Sequence, residues 1–361
     1  MGFKCGIVGL PNVGKTTIFN ALSGLSAVVA KYPFTTIEPN TALVPVPDER
    51  LHAIARLLRP EKVTPSAIEF VDVAGLVAGA SRGLGLGNQF LSYIRAVDAV
   101  VHVVRCFEDP DVAHLAGGVD PVRDVGIIGT ELILSDLEIV DRRLNKLTRA
   151  VRVGLKEAGV ELETFTKARE VLNRERPLRS LSWSPQEMEL FREAGLLTAK
   201  PMLYVANTGE DGAESVLTPL MGLAQDESSP LIIISGKLEA EIAALPPGEQ
   251  ADFLREMGLG ESGLKRLIRA GYQILDLISF FTIVGKEVRA WAIPRGTTAY
   301  GAAGKIHTDF QKGFVRVEVM TSSDFIRYGS EHKVREAGSI HIEGRDYQVK
   351  DGDILHFRFT P

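Results

Sequence analysis

Gly9-Leu10-Pro11-Asn12-Val13-Gly14-Lys15-Thr16 is the stretch on which the fold turns. It follows a short apolar run, Cys5 to Val8, and opens a segment of helical character. In that setting G-x4-G-K-T is a phosphate loop. The glycines let the backbone curl so that successive N–H groups face a phosphate, and the helix N-terminus adds the positive end of its dipole. The pattern places Asn12, Val13, Gly14, Lys15, Thr16 and Thr17 around the phosphates of a nucleotide. Lys15 reaches the β and γ oxygens as a catalytic group, and the Thr16 hydroxyl is a Mg2+ ligand.

Four further apolar runs share the texture of the first: Ile68 to Val71, Ala99 to Val104, Met202 to Ala206 and Leu231 to Ile234. They are continuous rather than alternating, as in strands buried on both faces of a parallel sheet covered by helices. Each is followed at once by Gly, Asn, Asp or Ser, at the edge where α/β sheets bind ligands. The fold class is α/β, a P-loop NTPase domain with a parallel sheet. Thr35 and Thr36 lie about twenty residues after the loop, where a threonine, Thr36, adds a second Mg2+ ligand and senses a γ-phosphate. Asp72-Val73-Ala74-Gly75 ends the second run, with Asp72 as outer-shell Mg2+ partner and the Gly75 amide on the γ-phosphate.

Base contacts are expected at the ends of the last two runs, from Asn207, Thr208 and Glu210 and from Ser235 and Gly236. Guanine-specific proteins carry Asn-Lys-x-Asp here, with the Asp clamping the N1–H and 2-amino donors of the base. Thr208 removes the lysine stem and Glu210 is a methylene longer, so the main discrimination against adenine is gone. Leu76 stands where a water-orienting glutamine is usual. His114, in an Asp- and Gly-rich stretch beyond the third run, is the candidate general base, and a solvated loop histidine is the plainer reading. Asn12 is either a turn residue or a ligand for K+.

The gap from Val104 to Met202 is too long for one crossover. Ile133, Leu137, Val140, Leu144, Leu147 and Val151 step by four and three, the stripe of a long helix packing in coiled-coil fashion. A turn near Gly159 and a helix over 162–173 complete a hairpin. Ser184-Pro185 with Glu187 is a capping box. Beyond Ile278 the pattern becomes β-rich, with Val315, Val317 and Val319 alternating with Arg316 and Glu318. The expected domains are 1–130 with 201–278 for the nucleotide, a helical insertion at 131–200, and a β domain at 279–361.

The phosphate loop, Tyr32-Pro33-Phe34-Thr35-Thr36, Asp72-Val73-Ala74-Gly75-Leu76 and Asn207-Thr208-Gly209-Glu210 together resemble the Obg family of P-loop NTPases, and within it the Obg-like ATPase (YchF) subgroup. The resemblance runs through essentially the whole chain. It implies a coiled-coil insertion, a C-terminal β-grasp module of TGS type, ATP preferred over GTP, Mg2+ dependence and association with ribosomes.

Of 361 residues, 45% are hydrophobic and 24% charged, the usage of a globular protein. No apolar run reaches the ~20 residues of a membrane span, and residues 1–9 reach a turn before any signal-peptide core, so the expectation is a cytoplasmic protein with no membrane partner. Two cysteines, Cys5 and Cys106, make no disulfide framework, and the seven histidines form no metal motif. The net charge of -5 is uneven: 201–278 carries 5 basic and 12 acidic side chains. Arg142, Arg143, Lys146, Arg149, Arg152 and Lys156 have no acid between them, a basic stripe suited to RNA phosphates, ribosomal RNA in particular, without reading DNA sequence. The reading is a nucleotide hydrolase acting as a switch. The alternatives are a GTP-specific enzyme, a nucleotide-gated binding module with negligible turnover, and a small-molecule kinase.

Overall fold

The computed structural model describes residues 2–25, 40–73, 86–114, 117–153, 157–209 and 214–360. Two compact units emerge, one of Met1–Val44 and Glu69–Ile274, the other of Pro45–Ile68 and Leu275–Pro361.

The elements follow in the order β1 (Lys4–Val8), α1 (Lys15–Gly24), β2 (Asn40–Pro45), α2 (Glu49–Leu58), β3 (Lys62–Thr64), β4 (Ala67–Asp72), α3 (Leu86–Ala96), β5 (Ala99–Cys106), α4 (Pro121–Arg152), α5 (Glu157–Asn173), α6 (Pro185–Ala194), β6 (Met202–Thr208), α7 (Glu214–Asp226) and β7 (Leu231–Ile234). Then come α8 (Gly236–Ala244), α9 (Pro247–Glu256), α10 (Gly263–Ile274), β8 (Leu277–Val284), β9 (Glu287–Pro294), α11 (Ala299–Ile306), α12 (Thr308–Lys312), β10 (Phe314–Thr321), α13 (Ser322–Tyr328), α14 (Glu331–Glu336), β11 (His341–Glu343) and β12 (Asp353–Phe359).

The first unit is built on a sheet of order β2-β4-β1-β5-β6-β7. Strands β4, β1, β5, β6 and β7 are parallel neighbours, and the register sets Ile7 beside Asp72, Arg105 beside Asn207 and Asn207 beside Ile234. Those pairings bring the ends of β1, β4, β5, β6 and β7 to one edge, so residues far apart in sequence surround one place. All of β5 and β6 is buried, as their unbroken apolar runs require. By contrast β7 lies at the sheet edge with Ile233 38% exposed, so its apolar run is covered on one side only.

Helix α4 begins at Pro121, ten residues before the expected insertion. Asp120 caps it, accepting from the Arg123 N–H, and Pro121 sits at the first turn, where its missing N–H costs nothing. The expected turn near Gly159 is displaced: α4 runs to Arg152 and Gly159 lies inside α5. Helix α5 runs back along α4, with Arg143 on Glu161 at 2.5 Å and Arg169 on Asp141 at 2.9 Å. Between them Val140, Leu147, Phe165, Ala168 and Leu172 form a core that α6 extends with Phe191. The capping box at Ser184 and Glu187 is present in both directions. The hairpin is fixed at its root by Asp136, which is fully buried and accepts from the N–H groups of Leu197 and Thr198 and from the Thr198 hydroxyl.

The second unit is a sheet of order β11-β10-β12-β8-β9-β3. A tight turn with Gly285 at φ 58 joins β8 to β9. Early-chain residues belong to this unit. β3 pairs parallel with β9, Thr64 donates to Glu287 at 2.6 Å, Arg50 reaches Asp351 at 2.8 Å, and Leu51 and Ile54 of α2 pack on Phe281, Met320 and Phe325. Placing 45–68 with the nucleotide domain is therefore corrected. The expected alternation in β10 also fails at Val315, which is 58% exposed, because the register shifts between Phe314 and Arg316; Val317 and Val319 are buried.

Candidate nucleotide site

The loop after β1 takes the shape its residues predict. Gly14 has φ 86 and Asn12 φ 63, both left-handed, and α1 starts directly from Gly14. Gly9 is pressed against the backbone: a Cβ there would come within 2.8 Å of the Val103 carbonyl oxygen.

Asn207, at the end of β6, is expected to face a base. Its amide is instead spent on the protein: Nδ2 donates to the Val13 carbonyl at 2.9 Å, and Oδ1 accepts from the Gly236 N–H at 2.8 Å. Asn207 thus ties the phosphate loop to the start of α8. Both contacts are buried, so they are worth more than solvent-exposed equivalents. Gly236 fits the same packing closely, since a Cβ would stand 3.1 Å from Asn207 Oδ1 and 3.3 Å from Ile18. Ser235 caps α8 by accepting from the Leu238 N–H.

Around this tie opens a cleft of about 1230 Å3. Its phosphate side is Asn12, Gly14, Lys15, Thr16 and Thr17; its far side includes Phe107, Thr208, Gly209, Ser235 and Lys237. Lys15 is paired with Asp72 of β4, so the loop lysine and the acidic partner converge. The Thr16 and Thr17 side chains are exposed at the start of α1. Thr36, Gly75 and Glu210, named from the sequence for metal, γ-phosphate and base contacts, lie outside the described residues, as do Thr35 and Leu76.

Sequence reasoning missed Phe107 and Arg105; Lys237 stood in it only as the end of Ser235-Gly236-Lys237, with no role of its own. Arg105, 2% exposed at the end of β5, donates to the carbonyls of Phe107, Asp109 and Val112 and lies over the Phe107 ring at 4.5 Å. It shapes the lip that carries Phe107 into the cleft. An arginine inside a largely apolar strand was the available signal, because a buried guanidinium must find acceptors. Beyond the lip, Asn12 Nδ2 donates to the Ala113 carbonyl at 3.1 Å, and His114 Nε2 lies 3.0 Å from Asp124, whose other oxygen accepts from Arg123. The chain next to His114 is therefore pinned to the phosphate loop while the ring is held on α4, and His114 is not among the residues lining the cleft.

Both cysteines are buried, and burial first of all pushes their thiols up to about 12, so they are inert core residues. In the second unit Glu318, Glu331 and His356 bring potential ligand atoms within 4.8 Å of one another. Glu318 already holds Arg358 at 3.1 Å and Arg335 at 2.9 Å, which fits an ion-pair network better than a metal.

A left-handed glycine loop opening a helix, an acidic strand end paired with the loop lysine, and an Asn-bridged cleft at one edge of a parallel sheet define a P-loop NTPase. Residues 4–131 match the family model MMR_HSR1, described as a 50S ribosome-binding GTPase, and residues 277–360 match YchF-GTPase_C, described as a protein of unknown function. The chain is 49% identical to the ribosome-binding ATPase YchF of Haemophilus influenzae and 45% identical to that of Bacillus subtilis, each over 100% of both chains. It belongs to the YchF family. The Schizosaccharomyces pombe YchF GTPase, 37% identical, superposes with a TM-score of 0.87 over 99% of this chain and 98% of its own. A GTP binding protein from Pyrococcus horikoshii OT3, 19% identical, shares the fold at a TM-score of 0.60, with 99% of this chain and 100% of its own covered.

Proposed function

We propose that this chain hydrolyses ATP to ADP and phosphate in the presence of Mg2+, and that its nucleotide state governs binding to the ribosome or ribosomal RNA in the cytoplasm. The observation that carries the reading is the phosphate loop braced by Asn207 at the mouth of the cleft. The names of the full-length relatives supply the ATPase and the ribosome.

In this reading Gly14 and its neighbours bind the phosphates through backbone N–H groups, and Lys15 leaves Asp72 for the β and γ oxygens. Thr16, Thr36 and outer-shell Asp72 hold Mg2+; the Thr16 hydroxyl in the cleft and Asp72 beside Lys15 fit that task. When bound, Mg2+ supplies charge neutralisation at the β and γ oxygens. Gly75 offers its amide to the γ-phosphate, Phe107 and Lys237 cover the base, and Thr208 and Glu210 leave guanine without its clamp. Asn12, whose nitrogen is spent on Ala113, keeps an oxygen for K+; equal rates in K+ and Na+ would exclude that role.

His114 orients the attacking water in place of the glutamine that Leu76 replaces. The ring must leave Asp124 to reach the cleft. Of the remaining readings, a binding module with negligible hydrolysis draws on the same contact. Single-turnover rates of His114→Ala separate the two: nucleotide affinity stays within about twofold while most turnover disappears. Unchanged turnover would remove His114 from the chemistry.

We read 131–200 as a coiled-coil arm inserted in the nucleotide domain and the C-terminal sheet as TGS-like. On the arm, Arg142, Lys146, Arg149 and Arg152 are exposed, while Arg143 is already paired with Glu161.

A further inference from the structure

A second cavity, of about 420 Å3, lies in the nucleotide unit and shares no lining residue with the nucleotide cleft. That is within the roughly 300–1,000 Å3 range of small-molecule sites. One wall is apolar, from Val125, Leu132 and Leu137 of α4, Leu172 of α5 and Leu223 of α7. The other end is polar, from His102 of β5, Tyr204 of β6, Arg179 and Glu227.

Two features of this lining go against ordinary core packing. The first is hydrogen bonding left incomplete. Arg179, its side chain only 9% exposed, gives Nη2 to Glu227 at 2.5 Å and to Tyr204 at 3.3 Å, yet its Nε–H has no partner. The His102 ring, 2% exposed, lies beside the Tyr204 ring, at 5.6 Å between centroids. Buried polar groups are nearly always satisfied, so the unpartnered Arg179 Nε–H calls for an explanation. The second is a pair of glycines inside α4 that line the same cavity, Gly129 half-buried and Gly126 exposed. A Cβ at either position would meet nothing within 4 Å, so packing does not demand glycine, and helix propensity disfavours it.

The chemistry of the lining selects the occupant. Glu227 neutralises Arg179. Burial first, and the Arg179 charge second, push His102 down to about 3, so the imidazole is neutral and offers one donor and one acceptor. An anionic ligand would be held without a counter-charge, since the Arg179 cation is already paired. An uncharged amide can pair with either ring nitrogen, its carbonyl on the N–H or its own N–H on the bare nitrogen, and an apolar body matches the α4 wall.

We propose that this cavity is a binding site for an uncharged, amphipathic small molecule bearing an amide or amide-like group, held by His102 at the polar end, with its apolar body against α4 at Gly126 and Gly129.

The test is a titration of the full-length, histidine-labelled chain with benzamide, followed by NMR of the His102 ring. A saturable shift of those signals is expected, lost in Gly129→Leu, whose side chain fills the open space. Absence of a saturable shift, or a shift that survives Gly129→Leu, overturns the proposal. Benzoate, the charged counterpart, should leave the ring signals unmoved; equal binding of benzoate overturns the assignment of an uncharged ligand. Should Gly129→Leu fail to fold, nuclear Overhauser contacts from benzamide to the Leu132 and Leu137 methyls decide the matter in the unaltered chain: their presence supports the site, and their absence overturns it.

Discussion

Asn207 shows how much one side chain can carry. Its amide nitrogen holds the Val13 carbonyl and its oxygen receives the Gly236 N–H, so the two loops that border the cleft move as one. Asn207→Ala leaves both backbone groups buried without partners, which costs about 1–3 kcal/mol each. Nucleotide affinity should fall at least tenfold, about 1.4 kcal/mol, in an equilibrium titration, alongside a lower unfolding midpoint. Gly14→Ala should be as severe for a different reason: its φ of 86 disfavours any Cβ, and that Cβ would overlap Asn207 Nδ2. The sequence located Asn207 at the right strand end by its place after an apolar run. It did not reveal that the amide faces the protein rather than a base, because that orientation depends on how closely β1 and β6 flank β5. Phe107 was illegible for a similar reason; an aromatic after a strand is common, and only the fold brings it to the cleft.

Helix α4 illustrates what element patterns do and do not report. The apolar stripe from Ile133 to Val151 was readable, and its residues as far as Leu147 join the hairpin core, whereas Val151 near the end of α4 is 38% exposed. The start was missed because Asp120-Pro121, a good cap and first-turn pair, lies in a stretch dominated by loop residues. Gly159 misled because glycine weakens a helix without forbidding it. At the root of the hairpin, Asp136 makes stability depend on pH. Burial raises its pKa from 3.8 to about 6, against the lowering effect of its three hydrogen bonds. The folded chain therefore binds this proton more tightly than the unfolded one, and the associated stability is full below 3.8 and lost as pH rises through about 6. The size is on the order of 2–3 kcal/mol. Denaturant titrations across that window should show this component in the unaltered chain and not in Asp136→Asn; an identical pH dependence in both would contradict it.

At the scale of the whole molecule, the division of the chain is what the sequence concealed most. Residues 45–68 look like part of a nucleotide domain because they sit between the phosphate loop and β4, yet α2 and β3 complete the C-terminal unit. Nothing local in the sequence marks this, since β3 has three residues and pairs with β9 more than 200 positions away. A truncated chain of 279–361 should consequently fail to fold cooperatively, as Phe281, Met320 and Phe325 lose Leu51 and Ile54; a sharp, reversible melt of that fragment would contradict the assignment. Charge is also distributed unevenly at this scale, and the exposed basic residues of α4 predict ribosome binding that weakens steeply with added salt, as measured by co-sedimentation. A salt-insensitive affinity would point away from RNA phosphates. The proposed preference for ATP rests on Thr208 and Glu210, which stand where guanine-specific proteins carry Lys and Asp. Side-by-side dissociation constants for non-hydrolysable ATP and GTP analogues with Mg2+ test this most directly: ATP binding tighter by about tenfold or more is the predicted result, and a clear preference for GTP would contradict it.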